Sequence, residues 1–173
     1  MNVLQLFKKI TTFIFDVDGV LTDGTVLVLE GGVQARRMSI KDGFALQMAV
    51  KSGYRVLVVS GGNSPQVINR LEKLGITDVH MSVLYKQAFI EDYIAKNNLT
   101  KEQVLYMGDD LPDLPAMSVV GLPVCPADAV SEVKEAVQYI SHLNGGVACV
   151  REVIEKVLKL NDHWNYRVDV TSR

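Results

Sequence analysis

Cysteine is scarce in this chain, and the two present, Cys125 and Cys149, form neither a CxxC pair nor a cluster with histidine. That argues against a disulfide scaffold and a zinc site, and it predicts a reducing, cytoplasmic setting. Long apolar runs are lacking as well. The densest, Val56–Val59, is closed at once by Ser60, Gly61 and Gly62, far short of the roughly 20 apolar residues that a membrane span needs. The opening Met-Asn-Val-Leu-Gln leads into no extended apolar stretch before a cleavage site, so no secretory leader is expected. No charge of one sign prevails: 18 Lys and Arg against 20 Asp and Glu leave a net charge of −2. Neither a basic nucleic-acid footprint nor an acidic tail is present. Histidine is sparse too, and His80, His142 and His163 show no ligand spacing, which reads them as structural or surface residues.

What remains is an ordinary globular composition, 48% hydrophobic and 22% charged, in a chain long enough to bury a core without a metal or disulfide staple. One domain over residues 1–160 is expected. Residues 161–173 lose the apolar period and end in a polar, charged tail, predicted to be disordered unless a neighbouring subunit binds it.

Short apolar runs recur, each followed by turn residues and a segment of helical spacing, the pattern of a parallel sheet flanked by helices. Strands are predicted at Thr12–Val17, Arg55–Ser60, Asp78–Ser82, Val104–Met107, Val119–Val124 and Tyr139–Ser141. Ser64 and Pro65 read as a helix cap and first helical position, with Val67, Ile68, Leu71 and Leu74 on one face before Gly75. Further helices are expected at about Lys86–Asn97, Ala129–Ala136 and Val147–Leu160, and one starting near Asp42, where Phe44, Leu46, Met48 and Val50 read as core and contact residues. Between the first strand and that helix, Thr25–Leu29, Glu30-Gly31-Gly32 and Val33–Met38 suggest a β-hairpin, a flap and not a domain. The expected fold is therefore α/β, a Rossmann-like three-layer sandwich on a mainly parallel sheet, with a small hairpin flap and no cap domain.

In an open parallel sheet the ligand site lies beyond the carboxyl ends of the strands. Those ends carry Asp16-Val17-Asp18-Gly19-Val20, then Ser60-Gly61-Gly62, then Gly108-Asp109-Asp110 with Asp113, and Lys86 stands near the start of a later helix. Carboxylates, a hydroxyl, backbone amides and one cation are the parts needed to hold a metal and a phosphoryl group. An Asp-x-Asp or a Gly-Asp-Asp alone marks a turn or a helix cap more often than a site. The ordered conjunction at predicted strand ends is what carries the reading.

Taken together, Phe15-Asp16-Val17-Asp18-Gly19-Val20-Leu21-Thr22-Asp23-Gly24, Asp42-Gly43, Tyr106-Met107-Gly108-Asp109-Asp110-Leu111-Pro112-Asp113-Leu114-Pro115, and Gly145-Gly146 before Val150-Arg151-Glu152 resemble the haloacid dehalogenase superfamily of aspartate-nucleophile phosphatases. The resemblance spans about residues 12–160 and is nearest to the small, capless, tetrameric branch that acts on eight-carbon keto-acid phosphates. It implies a phosphoric monoester hydrolase with Asp16 as nucleophile and Asp18 as acid and base. It implies Mg2+ held by Asp16, the backbone carbonyl of Asp18 and Asp109, with Asp110 near the metal's water shell. Ser60, the Gly61 amide and Lys86 would bind phosphate, and Asp113 would orient Lys86.

The implied substrate is 3-deoxy-D-manno-octulosonate 8-phosphate, with Arg70 as the carboxylate contact, and the implied assembly is a homotetramer with active sites near subunit interfaces. Gly62 and Val147 stand where many members carry Arg, which leaves a nine-carbon keto-acid 9-phosphate as the alternative substrate. A signalling receiver domain, the main rival from another class, would place its phosphorylated Asp after a middle strand, where this chain has Ser60. An idle scaffold would not need Asp16, Asp18, Lys86 and Asp109 intact.

Overall fold

Strands built of unbroken apolar runs need cover on both faces, and the chain supplies it. A computed structural model describes residues 2–165. The chain begins with α1 (Val3–Lys9), capped by the Asn2 side chain, which accepts from the Leu4 amide; the sequence pattern does not announce this helix. Then come β1 (Thr12–Phe15), the hairpin strands β2 (Leu27–Val28) and β3 (Gln34–Ala35), α2 (Ile40–Lys51), β4 (Arg55–Val59), α3 (Pro65–Lys73), β5 (Val79–His80) and α4 (Lys86–Lys96). The second half is β6 (Val104–Met107), α5 (Leu114–Met117), β7 (Leu122–Cys125), α6 (Ser131–Ala136), β8 (Tyr139–Ile140) and α7 (Cys149–Leu160).

The six long-range strands form one sheet in the order β5-β4-β1-β6-β7-β8, every neighbouring pair parallel. Alternate side chains divide the core in two. Phe13, Phe15, Val56, Val58, Leu105 and Met107 pack with residues of α1, α2, α3 and α7 on one face. Ile14, Leu57, Val59, Val104 and Tyr106 pack with α4, α5 and α6 on the other. The result is the expected three-layer α/β sandwich with a mainly parallel sheet and a two-stranded antiparallel flap, with no further insertion among the described residues. Among the described residues no helix is long and apolar enough to cross a membrane.

Where the boundaries depart from expectation, the causes are local. The apolar run from Val119 enters the sheet only at Leu122, because the Gly121 amide is drawn to the Lys101 carbonyl at 2.6 Å and Val119 and Val120 are left in the preceding turn. The last helix starts at Cys149 and not at Val147, since Ala148 takes a left-handed φ of 78°. The strand expected over Asp78–Ser82 keeps two paired residues at the sheet edge.

The tail expected to be disordered from residue 161 is ordered at its start. His163 Nδ1 lies 2.9 Å from the Tyr54 hydroxyl. The Trp164 ring packs edge-on against Phe44 and takes Arg151 over its face. Aromatic contact area, invisible to a polarity count, holds these residues down. The remainder of that tail, residues 166–173, lies outside the described residues.

Candidate active site

β1 and β6 are neighbours at the centre of the sheet, and chain crossovers leave them in opposite directions. A crevice opens at such a point beyond the strands' carboxyl ends. Asp16 follows β1 and Asp109 follows β6, so the two carboxylates meet there. The tight turn after Asp16 brings the backbone beside Asp109: a Cβ on Gly19, which takes φ 85°, would stand 2.0 Å from Asp109 Oδ2. Only glycine gives that carboxylate room.

Lys86, at the first turn of α4, is buried and reaches both Asp16 Oδ1 at 2.9 Å and Asp113 Oδ1 at 2.7 Å. Asp113 is saturated. Its Oδ1 also accepts from the Tyr106 hydroxyl, and its Oδ2 accepts from the amides of Asp109 at 3.0 Å and Asp110 at 3.4 Å. Asp16, Asp109 and Asp113 each present an oxygen within 4.8 Å of the others. Because both oxygens of Asp113 are committed, it serves as the bracket for Lys86 and the β6 loop, and the remaining carboxylates for a metal are Asp109 and Asp16, the latter also paired with Lys86.

Two buried carboxylates, Asp16 and Asp113, and the half-buried Asp109 against one buried ammonium leave excess negative charge, and the ionisation equilibria register it. Burial, then repulsion by Asp113, raises Asp16 to about 6 despite Lys86. Burial, then Asp113, Asp16 and Asp110, raises Asp109 to about 7. Burial works to lower Lys86, yet Asp16 and Asp113 together hold it above its ordinary value. Hard carboxylate oxygens carrying uncompensated charge fit a divalent cation such as magnesium.

Ser60 lies buried after β4, lines the same cavity of about 410 Å³ as Asp16, Asp18, Gly61, Lys86, Asp109, Asp110 and Asp113, and accepts the Gly62 amide on Oγ at 3.1 Å. Asp110 accepts from the Leu111 amide at 2.7 Å, capping the turn that carries Asp113. Asp18 projects toward the flap, where Arg36 Nε meets its Oδ1 at 2.6 Å.

A model of the haloacid dehalogenase-like hydrolases matches residues 82–153. The 3-deoxy-D-manno-octulosonate 8-phosphate phosphatase KdsC of Salmonella typhi is 33% identical over 157 residues, 91% of this chain and 84% of that protein. The chain belongs to the haloacid dehalogenase-like hydrolases. It is a phosphoric monoester hydrolase of that family. Among solved structures, the same phosphatase from Yersinia pestis superposes with a TM-score of 0.90 at 32% identity, over 93% of this chain and 87% of that one. The phosphatase from Moraxella catarrhalis, in complex with magnesium ion, phosphate ion and KDO, gives 0.89 at 30% identity over 93% of each chain. A cobalt-bound form of the Haemophilus influenzae phosphatase gives 0.87 at 34%, over 91% of this chain and 92% of that one.

Within this haloacid dehalogenase-like hydrolase, Asp16, Asp18, Ser60, Gly61, Lys86, Asp109, Asp110 and Asp113 come together around one cavity. Arg70 does not join them. It lines a neighbouring cavity of about 360 Å³ under the flap, with Arg36, Met38, Ser64 and Gln66. Two residues of this region are given no role by the sequence. Tyr106 looks like one more core residue of β6. Arg36 sits beside Arg37 in a flap with no motif of its own; strand alternation, which sends one of two adjacent cations inward, is the only signal for it.

Proposed function

We propose that this chain hydrolyses 3-deoxy-D-manno-octulosonate 8-phosphate to the free sugar acid and inorganic phosphate, a step of lipopolysaccharide sugar biosynthesis, in the cytoplasm. The observation that carries the reading is the Asp16–Lys86–Asp113 bracket beside Asp109, in a chain alike over nine-tenths of its length to phosphatases of that substrate.

Asp16 is the nucleophile. Its carboxylate oxygen attacks phosphorus, the sugar oxygen departs with a proton from Asp18, and the phosphoryl group rests on Asp16. Asp18 then takes a proton from the incoming water, whose attack on phosphorus restores the Asp16 carboxylate and frees phosphate. The Ser60 hydroxyl, the Gly61 amide and Lys86 hold the phosphoryl oxygens and stabilise charge developing on them. Magnesium, held by Asp16, the Asp18 carbonyl and Asp109 with Asp110 nearby, supplies when bound the positive charge that offsets repulsion between nucleophile and phosphate. Arg70 takes the substrate carboxylate.

An open site needs another surface to enclose its substrate. Val26, Leu27, Val28, Leu29 and Val33 of the flap are exposed, as are Leu84, which lines the site cavity, and Tyr85 and Leu111, which adjoin lining residues in the chain. These apolar surfaces support a homotetramer in which the flap of one subunit faces the active site of another.

Steady-state release of phosphate from the 8-phosphate, from nine-carbon keto-acid 9-phosphates and from neutral sugar phosphates tests the reading. The expected outcome is activity lost on chelation, restored by magnesium without unfolding, and highest in kcat/KM for the eight-carbon acid. A preference for the nine-carbon acid moves the assignment to that substrate, and turnover unaffected by chelation overturns the mechanism.

A further inference from the structure

The flap sends one charged side chain inward. Arg36 follows β3, and its side chain is only 10% exposed, whereas that of Arg37 is 86% exposed and pairs outward with Asp23. Arg36 grips Asp18 with both arms of its fork, Nε to Oδ1 at 2.6 Å and Nη2 to Oδ2 at 3.4 Å. Gly62 makes room for this. A Cβ there would stand 3.3 Å from Asp18 Oδ2 and 3.9 Å from Arg36 Nη2, so any longer side chain would compete for the space that the guanidinium fills. The same Arg36 lines the cavity under the flap together with Arg70. It therefore stands between two spaces, the Asp16 cavity on one side and a cavity with two guanidinium groups on the other.

We infer that Arg36 is a specificity-determining residue that exchanges the Asp18 carboxylate for the carboxylate of an acidic sugar phosphate. The inference rests on the proposed substrate class and adds what reads it. A buried guanidinium is costly to leave unpaired, and its planar fork matches one carboxylate at a time. With no acid in the flap cavity, Arg36 stays on Asp18, and Asp18 Oδ1 is not available to the leaving oxygen. A substrate whose phosphate lies at Asp16 and whose carboxylate reaches the flap cavity, beside Arg70, offers the fork a second carboxylate. Asp18, with a side chain 40% exposed, is a partner that solvent can replace. The fork turns, the number of charge-assisted bonds is kept, and Asp18 is freed for its part in the reaction. A neutral sugar phosphate cannot make this trade, so its handicap falls on kcat as well as on KM.

The experiment compares kcat and KM for 3-deoxy-D-manno-octulosonate 8-phosphate, its carboxamide analogue and a neutral hexose 6-phosphate, in wild type, Arg36→Met and Arg36→Lys, with folding checked by circular dichroism. The expected loss in the acid-to-neutral ratio of kcat/KM for Arg36→Met is about 10- to 100-fold, the worth of one charged hydrogen-bonded contact. Arg36→Lys, which keeps the charge and loses the fork, should recover part of it. The carboxamide should cost the wild type a similar factor and cost Arg36→Met little further. A ratio that stays within about twofold of wild type in both variants overturns the role of Arg36 while leaving the substrate reading intact. A wild type with no preference for the acid over the neutral sugar overturns the substrate reading, and this inference with it.

Discussion

The strand-end cluster and the flap answer the same need, that of placing charge, in opposite ways. At the strand ends Asp16, Lys86 and Asp113 are buried and joined through the Lys86 ammonium, beyond the central strands of a sheet covered on both faces. The flap has two paired residues per strand, apolar side chains in the open and one isolated bridge, Thr22 to Met38, tying its return to the body. The first region is rigid because removing any member strands a buried charge. The second meets the site through Arg36, and its apolar face has no cover among the described residues. On the proposed reading, the reacting groups stand at the strand ends and selectivity is read by Arg36 of the flap together with Arg70.

The largest test of this division is Asp16→Asn. It should reduce turnover to background, a loss of at least about 1000-fold, because the amide neither attacks phosphorus nor supplies a charge for a metal. Near wild-type turnover from a preparation free of contaminating phosphatase would break the comparison at its root. Next is Asp113→Ala, which strips acceptors from Lys86, Tyr106 and two amides at once. Urea unfolding should show a loss of about 3–5 kcal/mol; a loss under 1 kcal/mol, the size of a surface pair, would mean the bracket is not the rigid element described.

Asp42 sharpens the comparison, being a buried carboxylate outside the cluster. It is 2% exposed and accepts the amides of Ala148 at 3.3 Å and Arg151 at 2.7 Å. Burial, only partly offset by those amides, raises it from 3.8 to about 6. Between those values the folded chain holds a proton that the unfolded chain has lost, so this group's contribution falls as pH rises. The fall amounts to about 3 kcal/mol between roughly pH 4 and 6, and is flat above. The stability of Asp42→Asn relative to wild type should therefore climb over that window; a parallel pair of pH profiles would show that Asp42 ionises as freely folded as unfolded.

The smallest effect is expected at the flap. Val28 is 71% exposed, so Val28→Glu should leave the protomer's unfolding midpoint unchanged while weakening assembly by about tenfold or more in dissociation constant, an interface effect of about 1.4 kcal/mol. Light scattering across a dilution series reads it, and a wild type already monomeric at assay concentration would remove the tetramer from the account.

The sequence made the sheet legible because both covered faces leave their mark in unbroken apolar runs, and punctuation did the rest. Ser64 caps α3 by accepting the Val67 amide, and β6 runs over Val104–Met107 as its pattern predicts. The strand-end carboxylates were legible for a related reason, since topology alone says where they meet. Less visible was whatever depended on one contact. The seven residues of α1 give too few turns for a clear period, and the Trp164 contact reads as part of a polar tail. Arg36 gains its meaning from Asp18, eighteen positions earlier, a pairing that no local pattern encodes.

The hold of Asp42 on the head of α7 also bears on the order in which the molecule assembles. No side chain caps that helix from its own neighbourhood, and the carboxylate that does so lies 106 and 109 positions before the amides it accepts. Closing so long a loop returns little until the chain between has already been drawn together. β1 can collect β4 and then β6 as they emerge, and α7 is expected to dock last, over a sheet already in place. Until it does, Val150, Val153, Ile154, Val157 and Leu158 form an apolar stripe with nothing beneath it. The interval just before α7 settles is thus when the young chain is most open to sticking to another. Pulse-labelled hydrogen exchange that found α7 protected before β6 would reverse that order.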